Sequence, residues 1–197
     1  MPLAAAVLAL AGCAVSGFGS VPGAARSATG PAGPAGGRPP RSLVVVHDPG
    51  QVTGTLTGTC QARDHGRLPD RHCTPGAIDP AVKQADIGST ICVSGYTTKV
   101  RPPESQTEKF KFGQAYPAYH LAAGTESELD HLVPLELGGA NDAANLWPEA
   151  GSLPNPKDTV ERALRAAVCD GRIPLRRAQR AIARNWETAE SRLGLTS

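Results

Sequence analysis

Glu128-Leu129-Asp130-His131 puts a carboxylate and an imidazole on adjacent residues. A carboxylate offers hard oxygen to a divalent cation. An imidazole titrates near neutrality and can take a proton from water. Together they suit hydrolysis of an anionic bond with a poor leaving oxygen. There a base must activate water, and a cation must stabilise the charge of the transition state. Asn145 and Asn155 each add an amide carbonyl oxygen further along the chain.

The elements that must position these groups can be read from their neighbours. Adjacent residues of an extended segment project to opposite faces, so Asp130 can hold a cation while His131 faces water or substrate. Pro134 lacks an N–H and suits a strand end. Gly138-Gly139 predicts a tight hairpin turn. A second strand then returns through Asn145-Leu146-Trp147, and a helix begins near Lys157. The expected order is strand, turn, strand, helix, with polar side chains converging from each piece.

Asp130-His131, Pro134, Gly138-Gly139, Asn141, Asn145-Leu146 and the later Asn155 resemble the HNH endonucleases, whose active site is a ββα-metal unit. Cys73-Thr74-Pro75-Gly76-Ala77, Thr90-Ile91-Cys92, Gly95-Tyr96-Thr97 and Val100-Arg101-Pro102-Pro103 look like a secreted, largely actinobacterial branch of that family. The resemblance covers residues 73–190. It implies that Asp130 binds metal, that His131 activates water, and that Asn145 completes the catalytic unit by tying the loop that aims the imidazole. Asn155 would close the metal shell. Oxygen donors of this kind favour Mg²⁺ or Mn²⁺ over Zn²⁺. Lys157, Asp158 and Glu161 lie within a turn of Asn155 and are candidates for supporting the ligands or touching phosphate. The implied function is a metal-dependent endonuclease acting on DNA, with RNA as a second possible substrate. The competing reading is a non-catalytic envelope protein that uses the same scaffold to bind nucleic acid or a protein partner. A toxin domain delivered to competitors is a third.

The expected fold class is α+β: a small mixed domain over residues 43–197, with a ββα core at 126–168 followed by C-terminal helices. The 197 residues suffice for one domain with a real core. With only 4% aromatic residues, aliphatic and alanine packing must fill it. A net charge of +2 is too small to argue nucleic-acid binding by itself.

Residues 1–18 read as an export segment. The apolar run from Leu3 to Ala11 is too short to span a bilayer. Leu10-Ala11-Gly12-Cys13 looks like a lipobox, which would lipidate Cys13 and make that anchor the only membrane contact. An ordinary secretory signal cleaved near Ala14 or Ala25 is the alternative. Residues 19–42 are rich in Gly, Pro, Ala and Ser and read as a flexible tether. The expected location is therefore outside the cytoplasm, secreted or held at the cell envelope. Cys60, Cys73, Cys92 and Cys169 remain, an even number that suits two disulfides in an oxidising compartment. Four cysteines allow three pairings; we favour the sequence-local Cys60–Cys73 with Cys92–Cys169.

Elsewhere, Leu43–Val46 and Val52–Thr57 read as strands, and His47-Asp48 as a structural turn between them. His65 and His72 read as solvated surface. Asp79-Pro80 opens a short helix to Asp86. Thr90–Val93 and Tyr96–Val100 read as extended. Ser105-Gln106-Thr107-Glu108 fits a capping box opening a helix to Ala115. From Lys157, Val160, Leu164, Ala167 and Val168 mark one helical face, which Asp170-Gly171 ends. Pro174 opens another helix with Leu175, Ala178, Ile182 and Trp186 on its apolar side. Its polar side carries Arg172, Arg176, Arg177, Arg180 and Arg184; Arg176 and Arg180 are the candidates for phosphate contact.

Overall fold

A computed structural model describes residues 42–48, 50–151 and 153–195. They belong to a unit running from Pro39 to Ser197. The export segment with Cys13, and the tether up to residue 41, lie outside the described residues. The architecture is mixed α+β, with two small sheets and a set of helices.

Val44–Val45 (β1) runs parallel to Ala77–Ile78 (β2). Ser127–His131 (β3) and Leu146–Ala150 (β4) pair antiparallel, with Asp130 opposite Trp147 and His131 opposite Leu146. Pro148 sits inside β4 because a two-stranded sheet leaves each strand an open edge where no N–H is needed. Tyr96–Val100 (α1), Glu104–Phe110 (α2) and Tyr116–Ala118 (α3) precede the hairpin. A π-helical turn at Lys111–Ala115 joins α2 to α3. Lys157–Cys169 (α4), Leu175–Arg184 (α5) and Ala189–Leu193 (α6) follow it.

The two long helices form as their apolar spacing predicts. Leu164, Ala167 and Val168 of α4 meet Leu175, Ala178 and Ile182 of α5 in the main core. Asp170 caps α4 and Gly171 continues in the left-handed conformation, φ +71°. Each fully buried Leu or Ile contributes about 1.5–3 kcal/mol, so this helix pair is the platform on which the hairpin rests. Gln179 of α5 extends it with a polar contact, donating to the Leu137 carbonyl at 2.8 Å while 1% exposed.

Several expectations need correction. Gly138-Gly139 do not make a two-residue hairpin turn. The β3–β4 connection runs from Leu132 to Asn145 and contains a 3₁₀ turn at Leu135–Leu137. Gly138 ends that turn at φ +71°, and Gly139 is needed for close approach: a Cβ there would lie 1.7 Å from the Val133 carbonyl oxygen. Val52–Thr57 is not a strand; Thr53 makes one isolated bridge, to Asp142. Tyr96–Val100 is helical rather than extended. Asp79 caps a turn by accepting from the Ala81 N–H at 2.8 Å, and the helical turn comes later, at Gln84–Ser89. The capping box does not form: α2 starts one residue earlier, after Pro103, with no side-chain cap. Pro103 already fixes the backbone at the helix start.

Two disulfides link Cys60 to Cys73 and Cys92 to Cys169, a feature that fits a secreted or extracellular protein. Among the described residues no helix is long and apolar enough to cross a membrane. Cys92–Cys169 closes the larger loop, with a separation of 77 residues. On chain-entropy grounds its removal costs about 4 kcal/mol. Urea unfolding of a Cys92→Ser/Cys169→Ser variant should show that loss, and a loss well below that of a Cys60→Ser/Cys73→Ser variant would contradict it.

Candidate functional site

β3 delivers Asp130 and His131 to the floor of a cleft of about 270 Å³, which α1 and α4 complete. The two side chains part as expected for neighbours in a strand. Asp130 turns toward α4 and the paired strand; His131 turns toward the loop before β4.

Asp130 is held from two sides. The Trp147 indole N–H donates to its Oδ2 at 3.1 Å. The Lys157 ammonium lies 3.1 Å from Oδ1 and 2.9 Å from Oδ2. The same ammonium donates to the His131 carbonyl at 2.8 Å and to Glu161. Lys157 is fully buried, which works against its charge. Asp130 and Glu161 more than offset this and hold the ammonium protonated above its ordinary range. Lys157 therefore supports Asp130 and has no free face for a phosphate, one of the two roles expected of it.

Asn155 sits at the start of α4 and is 9% exposed. Its Oδ1 accepts from the Lys157 backbone N–H at 3.0 Å, so it caps the helix. It is nevertheless near Asp130, because the Glu149 carboxyl lies against both side chains. Glu149, 2% exposed, has an Oε2 without a hydrogen-bond partner. Burial, and then the Asp130 carboxylate beside it, push its carboxyl up to about 9. Burial likewise pushes Glu161 up, to about 7, against the pull of Lys157. Neither Asn155 nor Glu149 lines the cleft, whereas Asp158 and Glu161 do.

Asn145 is 0% exposed and fully committed. Its Oδ1 accepts from the N–H groups of Val133 (2.9 Å) and Ala77 (3.2 Å). Its Nδ2 donates to the carbonyls of Val133 and Ala140, both at 2.9 Å. Three of these bonds draw the connection into a knot and the fourth fastens it to β2, with Gly139, which has no side chain, packed against Asn145. Asn145 thus ties the loop and reaches neither the cleft nor Asp130.

The loop so tied carries Asn141, whose Oδ1 lies 2.7 Å from His131 Nε2. Burial, partly countered by Asn141 and Asp130, pushes His131 down to about 4, so the imidazole is neutral at pH 7. Arg101 and Arg162 reach the cleft rim. Arg176 and Arg180 lie on the exposed side of α5 and do not line the cleft. His65 and His72 are exposed, as expected.

Sequence reasoning passed over Asp48, Glu149, Arg101 and Arg162. For Arg162 a signal existed: it falls four residues after Asp158, on the side of α4 that carries Glu161. Glu149 carried none, because an acid in a short strand reads as surface.

The cleft is lined by five carboxyl side chains, Glu128, Asp130, Glu136, Asp158 and Glu161, against two guanidinium groups. Asp130, Glu149 and Glu161 together outnumber the one buried ammonium by two. That surplus, with the orphaned Glu149 oxygen, fits a hard divalent cation held by oxygen. Among the described residues, no three His, Cys, Asp or Glu side chains are already arranged around a single point as a metal cage. Lys157 now fills the space between Asp130 and Glu161.

The protonation of Glu149 has a measurable consequence. In the fold it keeps a proton to about pH 9, whereas an unfolded glutamate releases it near its ordinary value. Raising the pH above about 4.5 therefore favours the unfolded chain. With EDTA present, Glu149→Gln removes this slope. Its stability relative to wild type should rise by about 4 kcal/mol between pH 5 and pH 8, measured by urea unfolding. A constant difference would show that Glu149 is ionised in the fold.

No family model, curated protein or solved structure matches the chain, so its function is argued from the geometry of the site.

Proposed function

We propose that the protein is a metal-dependent endonuclease of the HNH type that hydrolyses phosphodiester bonds in DNA or RNA. The observation that carries this reading is the pairing of an uncharged imidazole, His131, with a surplus of buried and half-buried carboxylates at one cleft. The order β3, β4, α4 supports it, as do Asp130-His131 at the end of β3 and the loop-tying Asn145.

Five carboxyl groups at a cleft repel a polyanion such as nucleic acid. The same cleft attracts divalent cations, and a cation-loaded cleft reverses that sign. Asp130 would hold the ion, with Glu149 as the neighbouring oxygen donor. Asn155, the other expected ligand, has one lone pair left on Oδ1 after capping α4. When bound, a divalent ion neutralises the phosphate and the charge that develops on the leaving oxygen.

The chain's own groups supply the remainder. His131 accepts a proton from water as the water oxygen attacks phosphorus and the ester oxygen leaves. Burial makes His131 a weak base, near 4, but an anionic phosphate beside it stabilises the imidazolium and strengthens it. Arg101 and Arg162 at the rim are placed to hold non-bridging phosphate oxygens, as guanidinium groups do in bidentate fashion. Lys157 acts indirectly, by pairing with Asp130 and aiming it.

The alternative of a passive nucleic-acid binder fits less well, since an acidic cleft without a cation gives phosphate no electrostatic foothold. The purified full chain should nick plasmid DNA with Mg²⁺ or Mn²⁺, and EDTA should stop it. His131→Ala should lower the rate at least about 100-fold while circular dichroism shows the fold retained. Because His131 is neutral down to about pH 4, its part in the reaction should not fade between pH 8 and pH 6. Metal-independent cleavage, or full activity of His131→Ala, would defeat the assignment.

A further inference from the structure

His131 Nε2 lies 2.7 Å from Asn141 Oδ1. Which partner donates is settled by what else Asn141 touches. Its Nδ2 lies 2.7 Å from Asp48 Oδ1 and 2.8 Å from the Val100 carbonyl oxygen. A carbonyl has no hydrogen to give, and a carboxylate accepts. Both partners therefore demand the amide's N–H groups, and the two together use them up. The amide cannot be turned over without setting its oxygen against two acceptors. The atom facing His131 is then the carbonyl oxygen, and Nε2 must carry the hydrogen.

Asp48 is built in firmly. It is 6% exposed, and Asn141 is 1% exposed. Asp48 Oδ2 accepts from the Asn141 backbone N–H at 2.8 Å, so one carboxylate grips both the backbone and the side chain of Asn141. Its Oδ1 also accepts from the Gly50 N–H at 3.0 Å. β1 brings it there: the Val46 N–H extends the pairing with β2 by donating to the Ile78 carbonyl at 3.0 Å, two residues before Asp48. Among the described residues, His131 Nδ1 makes no hydrogen bond.

We infer that Asp48 and Asn141 are positioning residues. They fix His131 as the Nε2–H tautomer, so that Nδ1 is the lone pair offered to water in the cleft. This rests on His131 being the base of the proposed reaction. When Nδ1 takes its proton, the imidazolium keeps the Nε2–H bond to Asn141 Oδ1, so no group in the chain has to turn during the step.

The test is nitrogen NMR of the full chain carrying ¹⁵N-histidine, with His131→Gln identifying the resonances of residue 131. At neutral pH the wild type should show one tautomer, pyridine-like at Nδ1 and pyrrole-like at Nε2. Asp48→Asn can donate as well as accept, which leaves the Val100 carbonyl as the one group still demanding an amide N–H and lets a fraction of the Asn141 amide turn over. Residue 131 should then show both tautomers, and kcat for plasmid cleavage should fall in proportion to the fraction left as the Nε2–H form, about two- to ten-fold, with KM changed less than about two-fold. Asp48→Glu should restore the single tautomer. A proton on Nδ1 in the wild type overturns the inference, as does an unchanged tautomer in Asp48→Asn. If that variant does not fold, the wild-type resonances decide alone. A protein with the expected tautomer that cuts no nucleic acid defeats the nuclease reading and upholds the hydrogen-bond assignment. One that cuts while carrying the proton on Nδ1 does the reverse.

Discussion

The Lys157 ammonium is the point on which the site depends. Taking an ammonium out of water costs several kcal/mol even after relaxation. Here it is repaid by Asp130, by Glu161 one turn along α4, and by the carbonyl of His131. These partners come from the end of β3 and from α4 itself. The bond network therefore fixes the first turn of α4 against the last residues of the strand. Asn155 and Trp147 complete the arrangement, one capping the helix through the Lys157 N–H and the other donating to Oδ2 of Asp130. Asp130 is thus aimed by its neighbours, and removing Lys157 would leave its carboxylate without an opposite charge.

The long connection between β3 and β4 depends on a second constraint, the satisfaction of backbone groups in a buried loop. It has little regular structure, yet most of its residues are buried. Asn145 makes three hydrogen bonds inside it and a fourth to Ala77 of β2. Gly139 allows the close backbone approach, and Gln179 fastens the loop to α5. Asp48 enters from the N-terminal segment and holds Asn141. A loop pinned from three directions can present an imidazole with the precision usually found on strands and helices.

What was legible in the sequence followed local periodicity. The helices at Lys157–Cys169 and Leu175–Arg184 came from their apolar spacing, their Gly and Pro boundaries and their Arg-rich outer face. The β3–β4 pair and the disposition of Asp130 and His131 came from strand alternation. The turn chemistry misled: Gly-Gly reads as a hairpin turn from local rules, but here Gly139 is required by a carbonyl six residues back, a contact only the folded loop creates. Tyr96–Val100 looked extended because its β-branched residues favour strands, and tertiary packing overrode that preference. Asp48 was read as part of a turn beside His47. Its partner lies 93 residues away, and no spacing rule spans that distance. Lys157 was noticed as a charge near the helix start, but burial turned it inward to Asp130.

The same electrostatics bear on how a polyanion could use such a site. The Arg-rich face of α5 is exposed and does not line the cleft, while the cleft itself carries more carboxyl groups than guanidinium groups. A ligand drawn to the basic helix by counterion release would gain nothing at Asp130 unless a cation had already offset the acids there. Glu149 and Glu161 retain protons more tightly than ordinary glutamates because burial penalises their charged forms and the Asp130 carboxylate adds to that penalty. Protons and a divalent ion are then alternative answers to one surplus of charge. Occupancy by the ion must release protons, and it must be tighter at higher pH. On this account the buried carboxyls and the neutral imidazole belong to one system. Under the proposed nuclease reading, the acids would set when the cleft accepts a cation, and the cation would set when His131 meets a phosphate.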